Sequence, residues 1–222
     1  MNKRQLLALF LCSLVPLTTG NGLSPLLPAY AAELGASPAD AGCQLALAFA
    51  ALAAGMMASY WLSNRLKSRK GLIIAGGALG IPVLWLAGQA RTPWTLAALS
   101  AAWCFGAGMS IALVNTLAGL SAADDARGKI FGVLSLNAGL GTLFGGLAMG
   151  PIAERWGYPA LFTCLSLFGL LWPVAALTLQ DRKAQAATSR DTRETRQRVG
   201  LGRSFYCLLL GSVAATLAMS RQ

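Results

Sequence analysis

There is no histidine in this chain, and only 12% of its 222 residues carry a formal charge. The first absence removes the side chain that titrates near neutrality, the usual general base and the commonest metal ligand. Cys-x-x-Cys spacing is missing too. The five cysteines, Cys12, Cys43, Cys104, Cys164 and Cys207, stand one to an apolar segment and read as small buried apolar residues. No acid, histidine or activated nucleophile is placed for catalysis, so the chain reads as a non-enzyme with no catalytic residue, no metal site and no cofactor. Acidic charge is the scarcest of all. The eight acids (Glu33, Asp40, Asp124, Asp125, Glu154, Asp181, Asp191 and Glu194) lie between or at the ends of long apolar runs, as do all 18 Lys and Arg.

What the chain has in abundance is apolar length, at 55% hydrophobic residues. A hydrocarbon core of about 30 Å needs roughly 20 apolar residues in helical form. Six such spans are predicted, over about 6–31, 42–63, 71–90, 94–119, 130–150 and 159–179, with a short seventh over 205–219. Backbone amides in lipid must satisfy one another, and the short alternating segments of a barrel are missing, so each span is a helix. The fold class is all-α, a polytopic transmembrane helical bundle. Its predicted organisation is a six-helix bundle over 1–180, a polar basic linker over 181–204 that is too charged to bury a core, and an incomplete seventh helix over 205–222. The opening run "MNKRQLLALFLCSLVPL" resembles a signal peptide, but it continues past Asn21 to Tyr30 without a small-residue cleavage site and reads as a retained first helix.

Lys and Arg in short loops mark the cytoplasmic side. With the N-terminus inside, fifteen basic residues fall on the inner side and only Arg91, Arg155 and Arg221 on the outer. The expected location is a bacterial-type inner membrane, with the N-terminus cytoplasmic. The net charge of +10 is then accounted for by topology and by the lipid bilayer as partner, and no nucleic acid is implied.

The loop between the second and third spans, Tyr60 to Lys70, packs four basic residues into six positions. It resembles the GxxxDRxGRRK pattern of the major facilitator superfamily of secondary transporters. Arg65, Arg69 and Lys70 agree with that pattern; Asn64 stands for its acid, Tyr60 and Lys67 for its glycines, and Ser68 for a basic position. The resemblance implies a conformational latch built from Asn64, Arg65, Arg69 and Lys70. The alternative is that these charges only fix topology.

The fifth span, "FGVLSLNAGLGTLFGGLAMGP", resembles the GxxxxxxxxGxxxGPxxGG pattern of exporters in that family. Gly132, Gly141, Gly145 and Gly150 occupy matching positions, while Gly146 replaces the proline and Met149 a glycine. The same spacing serves any close helix packing. In drug exporters of the family an arginine lies four residues before a glycine in the fourth helix; here Ala102 precedes Gly106, which puts that form of proton coupling in doubt.

With no charge inside the spans, the candidate solute contacts are neutral: Asn21, Gln44, Asn115 and Asn137. An amide in hydrocarbon needs a partner, either a solute in a cavity or another helix. The family resemblance places the first and fourth helices along the central cavity, which puts Asn21 and Asn115 foremost, with Thr18, Thr19 and Ser24 near them. Pro16, Pro25 and Pro28 with Gly20 and Gly22 predict kinks in the first helix.

The resemblance covers residues 1 to about 180, one six-helix half of a carrier. It implies transport of a small-molecule solute, in the efflux direction, with a second copy or a missing C-terminal half as partner. The alternative is a non-transporting membrane protein that acts through helix–helix association. A carboxylate makes stronger hydrogen bonds than an amide, by about 1 kcal/mol. Asn64→Asp is therefore expected to stabilise the outward-open state, seen as changed thiol-reagent access to the two cavity mouths; unchanged access would refute the latch.

Overall fold

The computed structural model describes residues 3–66, 68–122 and 127–179. The linker and seventh helix expected over 181–222 lie outside the described residues. Among the described residues seven helices follow in order: α1 Lys3–Leu23, α2 Leu26–Glu33, α3 Pro38–Leu66, α4 Arg69–Ala87, α5 Pro93–Ser121, α6 Arg127–Gly169 and α7 Leu171–Leu177. No strand occurs among the described residues.

The helix ends follow from local chemistry. Pro25 cannot donate to the carbonyl of Asn21, nor Pro28 to that of Ser24, so the first span breaks into α1 and α2. Ser24 instead closes the end of α1, donating its N–H and Oγ–H to Gly20 O at 3.0 and 2.8 Å. After α2, Gly35 takes φ 87°, and the amides of Gly35 and Ala36 reach back to Ala32 O and Ala31 O, both at 2.9 Å. This is a Schellman turn, which a glycine at that position permits. Ser37 then opens α3, its Oγ accepting from Asp40 N at 3.2 Å while Asp40 Oδ2 accepts from Ser37 N at 3.1 Å. The hydrogen bonds that Asp40 Oδ2 accepts from Ser37, first from Oγ–H at 2.7 Å and then from N–H, hold the Asp40 carboxyl below its usual range. Ser68 caps α4, and a Thr92–Thr95 capping box followed by Pro93 starts α5.

A straight helix across α6 and α7 would be more than twice as long as a bilayer is thick. Gly157 prevents that. At φ 79°, ψ 169° it occupies a region open essentially only to glycine, and the arms on either side run in opposite directions. Along the first arm, residues 10, 18 and 22 of α1 meet 137, 141 and 145 in rising order. Along the second, Cys12 meets Trp172 whereas Tyr30 meets Tyr158, in falling order. The second arm ends at Leu170, because Pro173 has no N–H for the carbonyl of Gly169. The described chain therefore makes six traverses.

Both ends of the bundle are tied. At one end Tyr30 donates to Gly88 O at 3.2 Å and stacks on Tyr158 with ring centroids 4.4 Å apart. At the other, Gln5 Nε2 donates to Ser121 Oγ at 3.0 Å, and Lys70 Nζ to Leu177 O at the C-terminus of α7, where a cation suits the helix dipole. Exposed aromatics ring the two ends, Tyr60 and Trp61 at one, Trp94 and Trp156 at the other, as at the two interfaces of a bilayer. Arg65 lies 5.1 Å from the Trp61 ring centroid and Arg155 5.7 Å from that of Trp156.

Between the ends, packing depends on missing side chains. A Cβ at Gly145 would stand 2.7 Å from Gly22 Cα, and one at Gly141 3.0 Å from Thr18 Cα. On the α3–α5 contact a Cβ at Gly55 would fall on Phe105 O and one at Gly108 on Leu52 O. Lipid gives helices no hydrophobic reason to associate, so close backbone approach supplies the dispersion that does. Around Gly132 and Gly150 a Cβ would meet nothing within 4 Å.

The four motif glycines on the first arm of α6, Gly132, Gly141, Gly145 and Gly150, should therefore behave differently. Gly145→Ala overpacks the α1–α6 contact and is expected to destabilise the bundle by about 1–3 kcal/mol. Gly132→Ala is expected to be neutral, or stabilising by up to about 1 kcal/mol through helix propensity. Denaturant unfolding of the two variants in detergent checks the contrast, and equal effects would refute it.

Candidate functional site

Where α1, α3 and α5 diverge they leave a partly open cavity of about 90 Å³. Its wall is carbon almost throughout, including Phe49, Trp103 and Phe162, with Asn21, Ser24 and Ser100 as the polar members. No Asp, Glu, Lys or Arg lines it. Trp103 reaches the cavity because small residues face it on two helices: Cβ atoms at Gly20 and Gly80 would stand 3.7 and 3.6 Å from its ring.

Asn21 is the amide that this cavity displays. It is exposed, and its Nδ2 donates across to the first arm of α6, to Thr142 Oγ1 at 3.2 Å and Ala138 O at 3.5 Å. Ser24 and Ser100 donate instead to carbonyls of their own helices. Asn115 lies outside the cavity wall; it is exposed on α5, one turn beyond the lining residue Ile111 and on the same face.

The other two amides are buried. Asn137 is fully buried, its Nδ2 donating to Phe10 O at 3.0 Å and to Ser13 Oγ, while its Oδ1 has no partner. It joins α6 to α1 and does not line the cavity. Gln44, 4% exposed near the start of α3, has no partner for Nε2 and likewise lies off the wall. Thr18, beside Gly141 of α6, and Thr19 are both buried, with no partner for either Oγ1.

Of the residues between α3 and α4, Asn64 and Arg65 are exposed, Lys70 holds the end of α7, and Arg69 also has a partner. The glycine set of α6 divides: Gly141 and Gly145 sit in the α1 contact, whereas Gly132 and Gly150 have open space beside them. Sequence reasoning did not anticipate Trp103, Phe49, Phe162 or Thr142. Aromatic and hydroxyl side chains are common along membrane helices, and only the opposing Gly20 and Gly80 could have pointed to Trp103.

Helices of this length and composition, tied at both ends around an uncharged cavity, define a multi-pass membrane protein with the architecture of a transporter bundle. The profile of the Major Facilitator Superfamily matches residues 9–220, and the chain belongs to that family. No curated protein sequence matches significantly. Among solved structures the chain is similar to the peptide transporter POT in complex with sulfate, at TM-score 0.72 and 16% identity, over 98% of this chain and 46% of that one. A mutant of POT in complex with alafosfalin matches at TM-score 0.72 and 16% identity, over 97% of this chain and 46% of that one. At this identity the likeness shows the fold alone, and the chain spans less than half the length of these transporters.

The two accounts of a membrane amide separate by stability. Asn137→Leu loses two interhelical hydrogen bonds and is expected to cost about 2 kcal/mol, while Asn137→Asp sets a buried carboxylate against Phe10 O and should cost about 3 kcal/mol or more. Asn21→Leu, at an exposed site, should change stability by about 0.5 kcal/mol or less. Thermal unfolding of the purified variants ranks them, and an Asn21 variant as damaged as the Asn137 variants would remove Asn21 from the candidate site.

Proposed function

We propose that the described bundle is one half of a secondary carrier for a small-molecule solute, working in the efflux direction, with the N-terminus cytoplasmic in a bacterial-type cell membrane. The observation that carries this reading is the cavity with Asn21 on its wall, set between helices of a family whose carriers rock two bundles about such a cavity. What supports the efflux direction is the likeness of the α6 glycine pattern to that of exporters in the family. Only 17% of the most apolar window of α3 is buried, against 50% for α5, so α3 has an open apolar face for a second bundle. That bundle is a second copy or a C-terminal half. The Asn64–Lys70 segment acts as the conformational loop, in which Lys70 is a fixed strut to α7 and exposed Asn64 and Arg65 are free to meet the opposite bundle.

The open face of α3 equally suits a membrane protein that binds a partner helix and moves nothing. Dye retention separates the two readings. Cells expressing the chain should accumulate about half as much neutral Nile red as empty cells, and Asn21→Ala should reverse the effect. Equal accumulation with and without the chain would overturn transport by the chain as it stands and favour the association reading.

A further inference from the structure

The cavity contains no formal charge, and most of its hydrogen-bonding capacity is already in use. Ser24 Oγ–H donates to Gly20 O at 2.8 Å and Ser100 Oγ–H to Leu96 O at 2.7 Å. The orientation of the Asn21 amide is fixed by its neighbours: Ala138 O can only accept, and Thr142 donates its own hydroxyl hydrogen to Ala138 O at 2.9 Å, so both need the amide nitrogen. Asn21 Oδ1 is therefore the end left to a ligand. The backbone carbonyl of the same residue also lacks its i+4 donor, because position 25 is proline.

Size and polarity then restrict what fits. A cavity of about 90 Å³ has room for roughly three waters, each of which wants two to four polar partners; a closed cavity that takes a benzene ring measures about 150 Å³, so a ring here lies partly inside the wall and partly in the open mouth. The wall provides few. Water there is poorly held and is displaced with a gain by an apolar group, whereas an ion would give up its hydration with nothing to replace it. Phe49, Trp103 and Phe162 offer flat apolar surface for a ring.

We propose that this cavity seats an uncharged, ring-sized apolar group with a single hydrogen-bond donor, the donor on Asn21 Oδ1 and the ring between Phe49 and Trp103. The solute class is neutral and apolar, not ionic or zwitterionic. This rests on the carrier reading for the fate of the ligand; the binding itself does not need transport.

Thermal unfolding of the purified full chain with four probes tests it. Phenol and toluene are expected to raise Tm, phenol by about 3 °C or more near saturation, while benzoate and benzyltrimethylammonium leave it unchanged. Asn21→Leu should abolish the excess of phenol over toluene and keep the toluene shift. Gly20→Ala, whose new methyl would stand 3.7 Å from the Trp103 ring and so fits, should at least halve both shifts. Ala48→Leu fills the opposite wall and should do the same; if it does not fold, Gly20→Ala carries the comparison. Equal stabilisation by a charged probe, a phenol shift that survives filling, or no shift with any probe overturns the proposal. Dye export without these shifts would remove the ligand class and keep the carrier. Shifts without export would keep the ligand class and remove transport by this chain.

Discussion

The contact between α1 and the first arm of α6 decides where everything else can lie. Gly22 and Gly145 bring two backbones so close that neither position tolerates a Cβ, and Met149 fills the remaining space beside Gly22. Because lipid is as apolar as any side chain in this bundle, such contact and the few interhelical hydrogen bonds are the forces available to hold α1. Asn137 adds its bonds to Phe10 O and Ser13 Oγ on the same face, and Asn21 adds its bonds to Thr142 and Ala138 one to three turns further along. With α1 fixed in this way, the break at Ser24–Pro25 directs α2 so that Tyr30 reaches Gly88 O and the ring of Tyr158.

Excluding charge from the spans has a second consequence. Polar chemistry inside the bundle falls to amides and hydroxyls, and the hydroxyls mostly turn back to their own helix, as Ser24, Ser100, Thr116 and Thr163 do. Such bonds satisfy a serine or threonine without contacting another helix or a ligand. The amides cannot do this so easily, because their four hydrogen-bonding sites exceed what one helix offers. Asn137 marks a helix contact, and Asn21 both bonds across to α6 and stands on the cavity wall, whereas Gln44 and Asn115 lie off that wall.

That distinction explains what the sequence could reveal. The apolar runs, with charges only at their ends, define the helices because the bilayer imposes length and polarity together, and the described helices follow the predicted spans through α7. The kink expected from Pro16, Pro25 and Pro28 falls at Ser24–Pro25, where two prolines remove donors in succession, while Pro16 stays inside α1. The motif residues of α6 were visible as a spacing. That Gly141 and Gly145 would pack while Gly132 and Gly150 would not depends on which face of α6 meets α1, and no spacing within one helix contains that. The roles of Asn21 and Asn137 were likewise undivided in the sequence, since both are single amides in apolar surroundings. Trp103 was invisible because its place is made by glycines on two other helices.

The ties at the two ends bear on how such a bundle can move. Tyr30 joins α2 to the turn after α4 and to the second arm of α6, Gln5 joins α1 to α5, and Lys70 joins α4 to α7. Shear of α1, α2 or α4 within this bundle would break at least one of these ties, and shear at the glycine contacts would slide Gly22 against Gly145 or Gly55 against the Phe105 backbone. Close-packed contacts have few alternative arrangements that keep their dispersion energy. Motion about the cavity is therefore easier as rotation of the whole bundle than as rearrangement inside it. An exception beside the cavity is the Ser24–Pro25 joint, where the helix ladder is already interrupted next to Asn21. A ligand held at Asn21 would thus sit beside a joint where backbone adjustment costs little.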